Sequence, residues 1–267
     1  MTSSALTTRV LPPLPRRWRG RYILERNILS TKTFWPVLVS GFFEPVFYLF
    51  AIGVGIGQLA GDVQFGGVDV PYQAFVAPAM LAASAMNGAV FEATNMFFKL
   101  KYGKVYEAIL ATPVEPTEVA SGEIAWTLAR GAMYSAAFLI VMAAMGLITS
   151  PLGLLAFPAA LLVGFAFGAL GTAAVTWMRT WQDLDLVMLI TLPLFLFSAT
   201  FYPIDVYPDL IQKITWISPL YHGVILIRGL TLGVLHGTML INIAYLATLG
   251  IIGSIVTAKR VKQVLIT

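Results

Sequence analysis

Fourteen of the 17 Lys and Arg residues fall in four segments, and long apolar stretches separate those segments. Residues 1–33 hold Arg9, Arg16, Arg17, Arg19, Arg21, Arg26 and Lys32. Residues 99–104 hold Lys99, Lys101 and Lys104, Arg179 stands alone in the third segment, and the tail carries Lys259, Arg260 and Lys262. The alternate loops, near 60–72, 147–152, 203–218 and 233–238, contain Lys213 as their single Lys or Arg. Loops that alternate between basic and nearly cation-free mark a chain threaded repeatedly through an inner membrane, with the basic loops and both termini in the cytoplasm. The chain is 58% hydrophobic and 11% charged, against about 25% charged in a soluble domain. The net charge of +4 then reflects topology and attraction to anionic lipid headgroups, and nucleic acid is not an expected partner. Cysteine is absent, which excludes disulfides and thiolate metal sites. The first apolar run begins near Phe34, behind the basic segment and without a small-residue cleavage site, so no cleavable signal peptide is expected.

Six segments are long enough to span a bilayer, at about 20 residues each: 34–59, 73–98, 119–147, 152–178, 184–202 and 238–258. The apolar stretch 219–235 is shorter and carries His222 and Arg228. A full crossing there would put the Lys259-Arg260-Lys262 tail outside, against the charge rule. The expected arrangement is therefore a re-entrant pair: a helix near 206–217, a break at Pro219, and a short returning helix. Such backbone is tolerated at membrane depth only where protein buries it.

Residues 1–15 are polar and Pro-rich and read as disordered. Residues 16–33 read as an interfacial amphipathic helix. Trp18, Tyr22, Leu24, Ile28 and Leu29 share an arc of roughly 160° at 100° per residue, with Arg21 and Glu25 intruding on it. In the loop at 99–112, Tyr102, Val105, Tyr106, Ile109 and Leu110 share one face of a short helix and Lys101, Lys104 and Glu107 the other. Thr112-Pro113 and Pro116 end it. From the residues alone this helix is either an ordinary membrane-surface loop or a helix that docks into a partner. The Gly53-x-Gly55-x-Gly57 run follows no strand and lacks a Lys, so it reads as close helix packing and not as a nucleotide loop. No GxxxxGK[ST] sequence occurs, so any ATP used must be bound by another chain.

Several ordered segments resemble the permease subunits of the ABC-2 exporter superfamily, in particular those of nodulation lipo-oligosaccharide and daunorubicin-type drug exporters. They are Glu44-Pro45-x-Phe47-Tyr48-Leu49; Ala83-Ser84-Ala85-Met86 with Phe91-Glu92-Ala93-Thr94; Tyr106-Glu107-Ala108-Ile109-Leu110-x-Thr112-Pro113 leading to Gly122-Glu123-Ile124-Ala125-Trp126; Phe201-Tyr202-Pro203-Ile204-Asp205; and Ser218-Pro219-Leu220-Tyr221-His222 with Ile227-Arg228. The resemblance runs from about residue 18 to the tail. It implies an all-α polytopic fold of six transmembrane helices over 34–258, a connecting helix at 16–33, and a basic tail at 259–267. It also implies a second permease subunit, identical or related, and two cytoplasmic ATPase subunits that bind ATP and Mg. The 99–112 helix would be the coupling helix, through Lys101, Tyr102, Val105, Tyr106, Glu107, Ile109 and Glu123. The 203–235 region, with Tyr202, Asp205, His222 and Arg228, would roof an outward pathway for an amphipathic substrate such as a drug, lipid or lipid-linked glycan.

Charges inside spans cost about 2.5–3.5 kcal/mol even on lenient insertion scales, so they are candidates for function. These are Glu44, Glu92, Glu123 and Arg130, and Glu123 has Arg130, Lys99 or an ATPase subunit as possible partners. Phe47 and Met86 are candidates for lining an adaptable pathway. Two other functional classes fit the sequence less well. An intramembrane lipid-modifying enzyme lacks a nucleophile or metal constellation, with His222 and His236 the only histidines. An ion-coupled secondary transporter would show paired broken helices, and the sequence has one broken region.

Overall fold

The computed structural model describes residues 18–32, 43, 46, 47, 49–235 and 237–266. The expected disordered segment 1–15, most of the first half of the expected first span, Glu44 and His236 lie outside the described residues.

Helix α1 (Gly20–Lys32) comes first. A π-helical turn at Leu49–Val54 and the short α2 (Gly55–Ala60) lead into an antiparallel hairpin, β1 (Asp62–Phe65) and β2 (Val68–Pro71). Then follow α3 (Tyr72–Lys101), α4 (Val105–Leu110), α5 (Pro116–Ala144), α6 (Ala156–Val175), α7 (Asp185–Leu196), α8 (Asp209–Ile217), α9 (Pro219–Leu232) and α10 (Met239–Ile266). Short 3-10 turns at Pro151–Leu155, Trp181–Leu184 and Ile204–Val206 precede α6, α7 and α8.

Among the described residues, four helices are long and apolar enough to cross a membrane: α3, α5, α6 with its leading turn, and α10. The 30 residues of α3 reach about 45 Å at 1.5 Å each, past a hydrocarbon core of about 30 Å. Counting α8 and α9 as one bent crossing would make five. The expected span at 184–202 is helical only over Asp185–Leu196, with Pro193 inside it and a left-handed residue, Ala199 (φ 53°), just beyond. That helix is about 18 Å long. At the other end of the chain, α10 runs on through Lys259, Arg260 and Lys262, so the expected tail is the continuation of the last span's helix.

α3 is the centre of the bundle. In its most apolar window 83% of residues are buried, against 22% in α10, so α3 packs on all sides and α10 on one. α3 lies against α5, α6 and α9, and α10 lies against α6. Gly253 sets the closest crossing: a Cβ there would sit 2.7 Å from the Ala169 carbonyl carbon, so α10 and α6 meet backbone to backbone. The main core joins Phe75, Met80, Met86, Phe138, Val163, Leu220 and Ile227.

The break expected at Pro219 is present. α8 and α9 meet at 86°. Ser218 Oγ accepts from the Tyr221 N–H, and Pro219 occupies the first helical position, where no amide hydrogen is needed. Gly233 (φ 76°) closes α9 in the left-handed cap. α9 is buried along most of its length, whereas α8 buries only Thr215 and exposes Leu210, Ile214, Trp216 and Ile217.

The hairpin was not anticipated by the charge pattern. Its turn is Gly66-Gly67, both with positive φ (60° and 82°), the backbone that a two-residue type I′ connection requires. Val63 pairs with Val70 and Phe65 with Val68, and Phe65 reaches the Phe75 ring at the start of α3.

Candidate functional site

The largest buried polar assembly lies where α1 crosses α3 and α5. Glu92 and Lys99 stand seven residues apart on α3, and Glu123 and Arg130 seven apart on α5. The two helices run antiparallel, so the four side chains form two rungs. Arg130 Nη1 meets Glu92 Oε2 at 2.5 Å, and Lys99 Nζ meets Glu123 Oε2 at 2.8 Å, with Glu92 Oε1 at 3.5 Å. Glu123 therefore pairs with Lys99, and Arg130 with Glu92. Asn27 of α1 closes the lower rung: its Nδ2 donates to Glu123 Oε2 (3.2 Å) and its Oδ1 accepts from Lys99 Nζ (3.2 Å). Asn95 Nδ2 donates to Glu92 Oε2, and Arg130 Nε and Nη2 both donate to the Tyr134 hydroxyl. The guanidinium also lies 4.6 Å from the centre of the Phe91 ring. Two carboxylates face two cations, and all but Lys99 are at most 5% exposed. Such a cluster is tolerated only because each charge has a partner and further hydrogen bonds.

α1 reaches this cluster through a face the helical wheel had not singled out. Gly20, Ile23 and Asn27 are buried against α5, while Trp18, Ile28 and Leu29 of the apolar arc are exposed. The close approach depends on Gly122, where a Cβ would sit 2.6 Å from Ile23 Cβ. Trp18 Nε1 donates to Ser121 Oγ, and Arg19 N donates to Glu118 Oε1. Beside the ion pairs is a cavity of about 380 Å³ bordered by Asn27, Ser30 and Thr31 of α1, by Phe91, Glu92, Asn95, Phe98 and Lys99 of α3, and by Trp126 and Arg130 of α5.

The 99–112 region keeps the expected division of faces except at Tyr102, which is exposed. Tyr106 is 1% exposed and packs with Ile23, Met96, Phe97 and Val119, with Val105 and Ile109 half-buried against the same cluster. The apolar face of α4 therefore lies against the chain's own core, with Tyr106 buried there and Ile109 partly so. Lys101, Tyr102, Lys104 and Glu107 are exposed. Lys104 starts α4 in the left-handed conformation (φ 46°), which fixes the corner between α3 and α4. Burial pushes the Tyr106 phenol well above its ordinary pKa, and the nearby Glu123 carboxylate pushes it the same way. The Tyr106 hydroxyl and Glu123 Oε1 are both buried and face each other.

The remaining candidates are spread out. Phe47 is exposed and stacks on Phe43, while Met86 is inside the main core. At the end of the bundle away from Lys99, Arg228 is fully buried. Its Nε donates to the Phe75 carbonyl and its Nη2 to the Ala199 and Thr200 carbonyls, and its guanidinium sits 3.7 Å over the Phe75 ring. It thus ties the bend after α7 to the start of α3. His222 Nε2 lies 2.9 Å from the Trp216 carbonyl and Nδ1 2.8 Å from Asn242 Oδ1. A carbonyl only accepts, so Nε2 carries the hydrogen. Tyr202 and Asp205 are exposed, with Tyr202 5.1 Å from the Tyr207 ring.

Sequence reasoning had named Glu92, Glu123 and Arg130 but missed Asn27, Asn95 and Tyr134. The paired seven-residue spacings on α3 and α5 were the available signal, since an antiparallel pair with equal spacings aligns both rungs at once.

The chain matches the family described as ABC-2 type transporter over residues 20–232. It is 32% identical over 223 residues to Nodulation protein J of Sinorhizobium fredii (strain NBRC 101917 / NGR234), an alignment covering 82% of each chain. It is 33% identical over 219 residues to Nodulation protein J of Rhizobium leguminosarum bv. trifolii, covering 81% of this chain and 80% of that one. To the Inner membrane transport permease YadH of Escherichia coli (strain K12) it is 25% identical over 180 residues, covering 66% and 67%. The chain belongs to the ABC-2 type transporter family, whose members are membrane subunits of transport systems.

Proposed function

We propose that this ABC-2 family member is the membrane-spanning permease subunit of an ATP-driven exporter in the inner membrane, the location named for its YadH relative. In this reading the chain crosses six times with both termini in the cytoplasm, and residues 203–235 re-enter from the outside. A second permease, identical or related, completes the outward pathway for an amphipathic substrate. Separate ATPase subunits bind ATP and Mg and dock on the 99–112 region.

One observation carries the coupling part of this reading. α4 is seated by its apolar side on the chain's own core, next to the Glu123–Lys99 rung, while Lys101, Tyr102, Lys104 and Glu107 remain exposed. A helix so placed can receive a push from below and pass it to α3 and α5 without bending. Docking energy should then come from Tyr102, since exposed aromatic anchors dominate small interfaces at about 2 kcal/mol or more, with rim charges giving about 0–1 kcal/mol each. Co-purification of the ATPase with Tyr102→Ala and Lys101→Glu/Lys104→Glu variants tests this. Reduced recovery or uncoupled hydrolysis is expected; unchanged recovery and coupled transport in a variant combining all three changes would overturn the docking assignment.

A further inference from the structure

Where α6 and α10 run side by side, three contacts follow one another toward their C-terminal ends. Gly253 lies backbone to backbone on Ala169. One turn on, Thr257 Oγ1 lies 3.1 Å from Thr172 Oγ1. One turn further, the Arg260 guanidinium carbon stands 4.7 Å from the centre of the Trp177 ring. Both members of this last pair sit on fixed backbone. α10 stays helical to Ile266, with Val261 buried, and Ala258 and Leu265 partly so, in the core that also holds Tyr106. Met178, next to Trp177, packs on the same core.

The outward side of α10 changes character at this level. Ile251, Ile255 and Lys259 form one ridge at intervals of four residues, and Ile252, Val256 and Arg260 form the adjacent one. Ile251, Ile252 and Ile255 are each about half exposed, and Lys259 is exposed. Each ridge passes from a branched hydrocarbon to a cation within about 6 Å, which is the step from acyl chains to headgroups. Trp177 is half exposed at the same level, as interfacial tryptophans are.

Exposed lysines alone give only diffuse attraction to anionic headgroups, and Arg260 differs from them. Its Nε is buried without a partner among the described residues, and one of its five N–H bonds is engaged, Nη1 donating to Gln263 Oε1 at 3.2 Å. No carboxylate neutralises it: the ion pairs among the described residues all belong to Glu92, Lys99, Glu123 and Arg130. In the loop after Trp177, Asp183 Oδ2 accepts from the Arg179 and Thr180 amides. A planar guanidinium held over an indole and left uncompensated matches a phosphate with its fork of donors. Ala174, exposed one turn above Trp177, leaves the seam open to an acyl chain. The cations stand at the ends of apolar ridges on the same helix. A phospholipid lying along α10 meets both, whereas a protein docking from the aqueous side meets only the cations.

We propose that the Arg260–Trp177 corner, with Lys259 beside it, binds the phosphodiester of an anionic phospholipid whose acyl chains lie along the isoleucine ridges of α10. The inference goes beyond the exporter reading and does not rest on it.

The permease, purified with any ATPase that accompanies it, is placed in phosphatidylcholine nanodiscs containing a minor fraction of phosphatidylglycerol with a photoreactive acyl chain. Crosslinked peptides are mapped by mass spectrometry and are expected within 170–177 and 251–260. Unlabelled phosphatidylglycerol should compete at about tenfold lower concentration than phosphatidylcholine, one decade of affinity, and inorganic phosphate should not compete. Arg260→Gln should lower crosslinking by about tenfold, the scale of a lost charge-assisted contact, and Trp177→Leu by about threefold. Arg260→Lys should recover part of the loss, because charge returns without the fork. Arg21→Gln removes the same charge from α1 and should change nothing. Variants that melt as the wild type does in pure phosphatidylcholine, but lose the rise in melting temperature that phosphatidylglycerol gives, have lost binding and not the fold. Equal losses in Arg21→Gln and Arg260→Gln would reduce the site to diffuse attraction and overturn the proposal. Competition by inorganic phosphate would assign the corner to a free anion, and crosslinking that appears only after an ATPase is removed would assign it to that protein; either result overturns the lipid site.

Discussion

Replacing Arg130 with Met keeps the apolar stem and removes the guanidinium. Glu92 then loses its 2.5 Å partner and retains Asn95 at 3.2 Å and Lys99 at 3.5 Å, while Lys99 is already held by Glu123 at 2.8 Å. The cluster passes from charge balance to one excess negative charge in a site where Glu92 is 2% exposed. Removing one partner of a buried pair costs about 3–5 kcal/mol. Glu92→Gln should cost about as much, because it leaves Arg130 buried with no carboxylate partner and only neutral acceptors, Tyr134 and the new amide oxygen. The double variant Glu92→Gln/Arg130→Met restores balance and should be less destabilised than the sum of the two by about 2–3 kcal/mol. Denaturant titration of the purified protein in mild detergent, followed by circular dichroism, measures all four corners of the cycle. Additive losses, with no recovery in the double variant, would refute the argument that charge balance holds this part of the bundle together.

Tyr106→Ala should destabilise by about 3–5 kcal/mol, as loss of a buried aromatic does, whereas Tyr106→Phe removes only the hydroxyl that faces the buried Glu123 carboxylate and should cost about 1 kcal/mol in the same titration. The Tyr207 phenol, which lies in the loop before α8, is pushed up to about 12, chiefly by burial and then by Tyr202. A raised folded pKa gives stability that is present below about pH 10, the ordinary value, and is lost as pH rises toward 12. Melting temperature should therefore fall across that window, less so in Tyr207→Phe, and an unchanged slope in that variant would assign the loss elsewhere. The chain has no cysteine, so single cysteines report topology cleanly: one at Lys213 should react with an impermeant maleimide in intact cells and one at Lys262 should not, and the reverse pattern would invert the proposed orientation.

Element existence and order were legible because burying or lipid-solvating long apolar runs leaves few alternatives. Three of the four long helices fall within a few residues of the stretches expected for them, α10 runs on through the expected tail to Ile266, and the α8–α9 break follows from Pro219 together with the charge parity of the tail. The hairpin was missed because a charge-based reading treats 60–72 as a loop, although Gly66-Gly67 between Val63, Phe65, Val68 and Val70 carries the two-residue turn signal. The stretch at 184–202 looked like a full span by hydropathy. Its helix stops at Leu196 in the structure, and Arg228, far away in sequence, holds the Ala199 and Thr200 carbonyls beyond it. No local pattern encodes that contact.

The faces of α1 and α4 show the deeper limit. Periodicity identifies an apolar arc, but an arc can be covered by lipid, by a partner, or by the chain itself, and those outcomes share one helical wheel. On α1 the apolar arc is left exposed at Trp18, Ile28 and Leu29, and the protein-facing side is the Gly20, Ile23, Asn27 stripe. On α4 the arc is covered from within, and the polar side is left free. In both cases a small or polar residue on the opposite helix decides the outcome: Gly122 admits α1 to contact, and Glu123, its neighbour, stands beside the buried Tyr106 phenol. Gly122 and Glu123 thus connect the α1 contact, the α4 core and the lower ion-pair rung through two successive residues of α5. A displacement of α4 would therefore be felt first at the Glu123–Lys99 contact, and only through Lys99 at the Glu92–Arg130 rung about seven residues, roughly 10 Å, further along the bundle.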